Sequence, residues 1–179
     1  MMRIRSIVVL LTAALFAGCS SAGPSGNAHV PEPQIAVQLD RYLGRWYEMA
    51  RYENRFETKC QAVTAEYRLL DSGHIGIVNT CHLGAVDGPV KVAHGKAKIV
   101  ANTQNAKLKV SFFGPFYVGD YWILNHASDY SWSIVGEPSG RYLWVLTRQR
   151  HPSAGERSAL LDAVKALGYD TSMLYQTPQ

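Results

Sequence analysis

The chain lacks any long apolar run. Its most hydrophobic stretch, Ile7 to Ala17, is 11 residues long with Thr12 as the one polar interruption, well short of the roughly 20 that a helix needs to cross a bilayer. It also lacks a surplus of one charge, since 18 Lys and Arg against 14 Asp and Glu leave a formal +4. The basic residues are scattered and not interleaved with stacking aromatics, so nucleic acid is not an expected partner. Six histidines, His29, His74, His82, His94, His126 and His151, have no metal-ligand spacing, and neither a Gly-x-Ser-x-Gly elbow nor a phosphate loop occurs. No metal, cofactor or catalytic group is therefore expected. Cysteine is scarce too: Cys19, Cys60 and Cys81 make an odd count, which in an exported chain leaves one sulfur over.

Export is what the amino terminus indicates. Arg3 and Arg5 precede the apolar stretch, and the small residues Ala17 and Gly18 stand directly before Cys19, the layout of a signal peptide over residues 1–18. Ala17-Gly18-Cys19 resembles a bacterial lipobox, which implies attachment of diacylglycerol to Cys19, cleavage before it and acylation of the new amino terminus. Ser20 resembles the sorting pattern of outer-membrane lipoproteins, which implies a lipid anchor on the periplasmic face of that membrane. Several acyl chains hold a protein durably where one does not. Losing residues 1–18 removes Arg3, Arg5 and no acid, so the charge falls from +4 to +2.

With Cys19 acylated, Cys60 and Cys81 are left in an oxidising compartment where they can pair. A regular ladder around the Asp71-Ser72-Gly73 turn puts Val63 opposite Cys81 and leaves Cys60 three residues past it. A bridge needs α-carbons within about 7 Å, so it requires an irregular strand start. Residues 19–38, with Pro24, Pro31 and Pro33 among Gly, Ser and Ala, read as a lipidated flexible tether. Residues 39–179 are the size of one domain.

In that domain the prevailing period is two. Val63, Ala65, Tyr67 and Leu69 alternate with Thr64, Glu66 and Arg68; after the turn comes HIGIVNT, then KVAHGKAKIV, AKLKVSFF, YVGDYWIL, DYSWSIVG and RYLWVLT. With a strand around Trp46 that makes eight. Short turns join them, so the expected fold is all-β, an antiparallel up-and-down meander, and eight strands suffice to close a barrel around one small ligand. One helix is expected after Pro152: Ser153 and Glu156 form a capping box, Leu160, Leu161, Val164 and Leu167 an apolar stripe, and Gly168 a stop. Its stripe should pack outside the barrel.

Three separated motifs then stand out: Gly44-x-Trp46 on the first strand, Ser128-Asp129-Tyr130 entering a late one, and Arg148 closing the last in YLWVLTR. In that order they resemble the lipocalins, and RWYEMARYENRFE with KVSFFGPFY is similar to the bacterial outer-membrane lipoprotein members, relatives of apolipoprotein D. The resemblance spans residues 39–179. It implies a barrel with a structural base: Trp46 as plug, Gly44 giving the backbone room, and Arg148 over the indole face, a contact worth about 0.5 to 2 kcal/mol.

Strand parity supplies candidate lumen residues. Counting from Trp46 gives Glu48 and Ala50; counting from Arg148 gives Tyr142, Trp144 and Leu146. Alternation elsewhere adds Ala93, Gly95 and Ala97, Leu108, Val110 and Phe112, and Trp132 and Ile134. The small residues of the fourth strand argue for space rather than a filled core. The resemblance implies a membrane-anchored protein that binds fatty acids or lysophospholipids for storage, transport and outer-membrane maintenance. The other reading is an envelope enzyme acting on a lipophilic substrate through Glu48 or Cys60. Oligomeric state is open, a homodimer included.

Overall fold

The computed structural model describes residues 25–179; Cys19 and the signal peptide expected over residues 1–18 lie outside the described residues. After a short helix, α1 (Leu39–Tyr42), eight strands follow: β1 (Gly44–Tyr52), β2 (Cys60–Leu69), β3 (Ile75–Leu83), β4 (Val90–Ile99), β5 (Lys107–Ser111), β6 (Gly119–His126), β7 (Trp132–Gly136) and β8 (Leu143–Thr147). Each pairs antiparallel with the next, and β1 pairs with both β2 (Trp46↔Ala65) and β8 (Tyr47↔Thr147). The eight strands thus close on themselves as a barrel.

The helix α2 (Ala154–Ala166) starts at Ser153, whose side chain accepts from the Glu156 amide while Glu156 reaches back, the full capping box. It buries Leu160 and Val164 on the outward faces of β1, β6, β7 and β8 (Met49, Leu124, Ile134, Val145). A final strand, β9 (Leu174–Gln176), pairs with β1 at Ala50–Tyr52, where β1 and β2 have parted. It is only three residues long and carries no periodic signal in the sequence.

The barrel has two unlike ends. The base holds α1, the 70–74, 100–106 and 127–131 turns and the start of β1; the mouth holds the 53–59, 84–89, 112–118 and 137–142 turns. Residues 25–38 do not stand clear as a spacer. Gly26 donates to Gly140 O at the mouth (3.1 Å), Asn27 Nδ2 to Leu167 O (2.9 Å), and Val37 to Gln104 O at the base (2.9 Å), so this segment straps the outer wall from end to end.

Cys60 and Cys81 are joined, with α-carbons 5.4 Å apart. The regular register holds from Leu69↔Ile75 up to Thr64↔Thr80 and then slips, so that Gln61 faces His82 and Cys60 faces Leu83. Ala62, at φ 46°, is the bulge that pulls Cys60 within reach, and its amide donates instead to Pro178 O (2.7 Å). Closing a loop of 21 residues stabilises by about 3 kcal/mol in the chain-entropy model. Cys60→Ala/Cys81→Ala should lose about that much in urea unfolding; two reactive thiols at these positions in unfolded, unreduced protein would refute the bridge.

Candidate functional site

The lumen is built from the base upward. Trp46 is fully buried, its Nε1 donates to Tyr42 O (2.9 Å), and the Arg148 guanidinium lies 3.7 Å from the indole centroid. Arg148 also donates to the carbonyls of Arg41, Tyr42, Leu43 and Arg45 (2.6–3.1 Å), so one side chain satisfies the open end of α1 and locks it under the barrel. Gly44 serves differently from the expectation. A Cβ there would meet Arg148 Nη1 at an ordinary 3.5 Å, and it is φ of 92° that asks for glycine. Ser128 O accepts from Arg41, the Asp129 carboxylate from the Ser131 amide, and Tyr130 Oη from the Gln38 amide. All three therefore belong to the base.

Above the plug lie Tyr67, Ile75, Ile77, Ala97, Leu108, Ile123, Val135 and Leu146. This lower half is packed: the space left between Tyr42, Tyr67, Ile77, Ala97, Leu108 and Tyr121 is about 10 Å³, room for one water at most. A chain of hydroxyls crosses it, Tyr67 Oη to Tyr121 Oη (2.9 Å), Tyr121 to Tyr42 Oη (2.9 Å) and Tyr42 to Ser133 Oγ (3.2 Å). Burial pushes Tyr42 up to about 12 and raises Tyr67 and Tyr121 further. These phenols stay protonated and act as hydrogen-bonding groups, not as nucleophiles.

The mouth half is polar on one wall. Glu48 accepts from Arg51 Nη1 (2.8 Å) and from Thr177 Oγ1; Arg51 donates as well to Cys60 O (3.3 Å) and Glu57 O (3.1 Å) and stacks on Tyr175 at 4.6 Å. Burial first, then the charge of Glu57, pushes the Glu48 carboxyl up to about 8, against the pull of Arg51 and Thr177. Glu57 in turn accepts from Trp144 Nε1 (2.9 Å). Trp144, Tyr142 and Phe56 form a shelf, with successive ring centroids 5.9 and 5.8 Å apart. Opposite, Asn79 follows Ile75 and Ile77 on the inward face of β3, and its Oδ1 is buried with no partner among the described residues.

Of the residues expected in the lumen, Glu48, Ala93, Gly95, Ala97, Leu108, Val110, Trp144 and Leu146 share its face. Phe112 lies just past β5 at the mouth, against Gly95, where a Cβ would come within 2.8 Å of the ring. Tyr142 is on the rim shelf. Three expectations are corrected. A bulge between Glu48 and Ala50 turns Ala50 outward under α2, and Trp132 and Ile134 also lie outside, in the helix-covered cluster. On β7 it is Ser133 and Val135 that point in, across from Leu146 and Trp144.

Parity overlooked Arg51, Glu57, Tyr67, Tyr121 and Asn79. Tyr67 and Asn79 had a signal in the alternation of their strands; Arg51 had none, because the bulge reverses parity there. Among the described residues no group of three or more His, Cys, Asp or Glu could hold a metal. Cys60, being bridged, offers no nucleophile.

The lipocalin-like domain family model matches residues 37–179. Outer membrane lipoprotein Blc of Vibrio cholerae is 36% identical over 176 residues, 98% of this chain and 99% of the relative. Apolipoprotein D of Macaca fascicularis is 34% identical over 156 residues, 81% of each chain. Among solved structures, insecticyanin of the tobacco hornworm Manduca sexta superposes with a TM-score of 0.65 at 20% identity, covering 86% of this chain and 87% of that one, a likeness of fold.

Proposed function

The chain belongs to the lipocalin family, and on that footing we propose that it carries a single-chain amphiphile, a fatty acid or lysophospholipid, in its barrel. It is a lipoprotein of the outer membrane, as its near full-length relatives are by name; Cys19 is the residue that would bear the lipid. The carrying observation is the division of the lumen: an apolar face of small residues, Ala93 and Gly95, rises from the packed Ala97 to a mouth half where the half-buried Glu57 and Trp144 and the unpartnered Asn79 Oδ1 collect, braced by the buried Arg51–Glu48 pair. A tail lies against the first, ending above the packed Tyr67 and Tyr121, and a headgroup stays at the rim beside Glu57 and Trp144, where water still solvates it.

Each buried methylene contributes about 0.8 kcal/mol, so affinity should rise about tenfold for every two carbons added to a short tail. Calorimetric titration of a fatty-acid and lysophospholipid series tests this. Ala93→Trp should abolish binding by filling the mouth half. Val92→Trp, on the outer face and 47% exposed, should leave it intact. An affinity indifferent to chain length, or equal in both variants, would sink the proposal.

A further inference from the structure

We propose that the mouth of the barrel is pressed against the membrane that holds the chain, with Phe113, Phe116 and Val118 entering the apolar layer. The proposal rests on the lipid anchor at Cys19. Two independent observations carry it. First, exposed large apolar side chains are concentrated at one end. Phe113 is 86% exposed, Phe116 72% and Val118 81%, all in the β5–β6 turn, and Phe56 and Val86 project from two further mouth turns. Of the exposed large apolar residues among those described, only Ile35 and Leu69 lie away from the mouth half. Gly114, at φ 62°, and Pro115 make the tight turn that thrusts the two phenylalanines outward. The base turns, by contrast, read LDSGH, VANTQNA and ASDYS, and none of their large apolar side chains is exposed.

Second, Ser25 and Gly26 are fastened at the mouth. Ser25 Oγ donates to Ser139 O (2.8 Å) and the Gly26 amide to Gly140 O, both carbonyls in the β7–β8 turn, which is the one mouth turn without an exposed large apolar residue. Cys19 is six positions before Ser25, and six residues reach at most about 20 Å. Strands of about ten residues tilted by some 40° stand about 25 Å high. A base-down arrangement would ask that segment for more than its full extension along the wall and would leave the aromatic rim in water. A mouth-down arrangement needs neither. It also lets an amphiphile pass between leaflet and lumen without its tail crossing the aqueous phase.

The test uses the full lipidated chain in vesicles of phosphatidylethanolamine and phosphatidylglycerol. With Cys19 acylated and Cys60–Cys81 bridged, Phe116→Cys adds one free thiol for a pyrene label, and Ser72→Cys places the same label at the base. Lipids bearing a nitroxide near the carboxyl end of the acyl chain should quench the first several-fold more than the second. Adding Phe113→Asp and Val118→Asp should remove the difference while circular dichroism stays unchanged. Equal quenching at the two sites overturns the proposal, and so does pyrene excimer emission without quenching, which would mean that a second copy covers the rim. If the wild-type chain neither takes up labelled palmitate nor floats with the vesicles, the anchor reading falls and this orientation with it; a chain that floats unquenched overturns the orientation alone.

Discussion

Arg51→Met is expected to destabilise the protein by about 3 to 5 kcal/mol at about pH 9.5, because it strands a buried carboxylate beside an emptied site. Arg51 and Glu48 are 1% and 2% exposed and 2.8 Å apart. The cost should depend on pH with a definite sign. Folding raises Glu48 from about 4.5 to about 8, so across that window the folded state holds a proton that the unfolded state has released. Stability on this account is fully present below about pH 4.5 and is lost as pH climbs through 8, by up to about 1.4 kcal/mol per unit. Removing Arg51 takes away the strongest influence drawing Glu48 down, which carries the loss to still higher pH. Urea midpoints of Arg51→Met should therefore fall less short of wild type at about pH 6 than at about pH 9.5, because the two proteins lose stability in parallel until wild-type Glu48 has released its proton near 8. Glu48→Gln/Arg51→Met, with no charge left to strand, should recover much of the deficit. A cost equal at both pH values, or a double variant no better than the single, would mean that Glu48 is not the stranded group.

That pair also marks where sequence reasoning stopped. Period-two alternation disclosed β2 to β5 because one face of each is polar, and the capping box with its spaced leucines disclosed α2. Glycine, tryptophan and arginine at separated positions located the base, where each has a role that other residues cannot fill. Parity failed on β7 because Trp132, Ile134 and Val135 make both faces apolar: α2 covers the outer one, so outside reads like inside. It failed on β1 past Glu48 because a bulge costs one residue of phase and leaves no composition of its own. The slip at Ala62 was foreseen only as a need of the disulfide. Contacts made by the carboxyl-terminal segment, Thr177 to Glu48 and Gln179 to Glu48 O and Val63 O, join residues more than 100 positions apart, which no local pattern encodes.

Trp46→Ala should be the other large loss, about 3 to 5 kcal/mol. Its indole is entirely buried, with Tyr42 at 5.1 Å between ring centroids and Arg148 across its face. Truncation opens a void under the lumen. The Tyr42 carbonyl keeps Arg148 Nη2 as a donor at 3.1 Å, so the penalty is one of packing and lost cation–π contact rather than of an orphaned polar group. Trp46→Phe, which keeps most of the volume, should cost only about 1 to 2 kcal/mol. Trp144 provides the contrast. Half-buried in the mouth half and bonded to Glu57, it should on replacement by alanine cost less stability than Trp46→Ala but weaken amphiphile binding by removing the shelf. Urea unfolding and calorimetric titration on the same four proteins separate the two effects. Trp46→Ala within about 0.5 kcal/mol of wild type, below the range for a removed core side chain, would mean that the base does not depend on its plug. The division between a stabilising base and a binding mouth would then have to be given up.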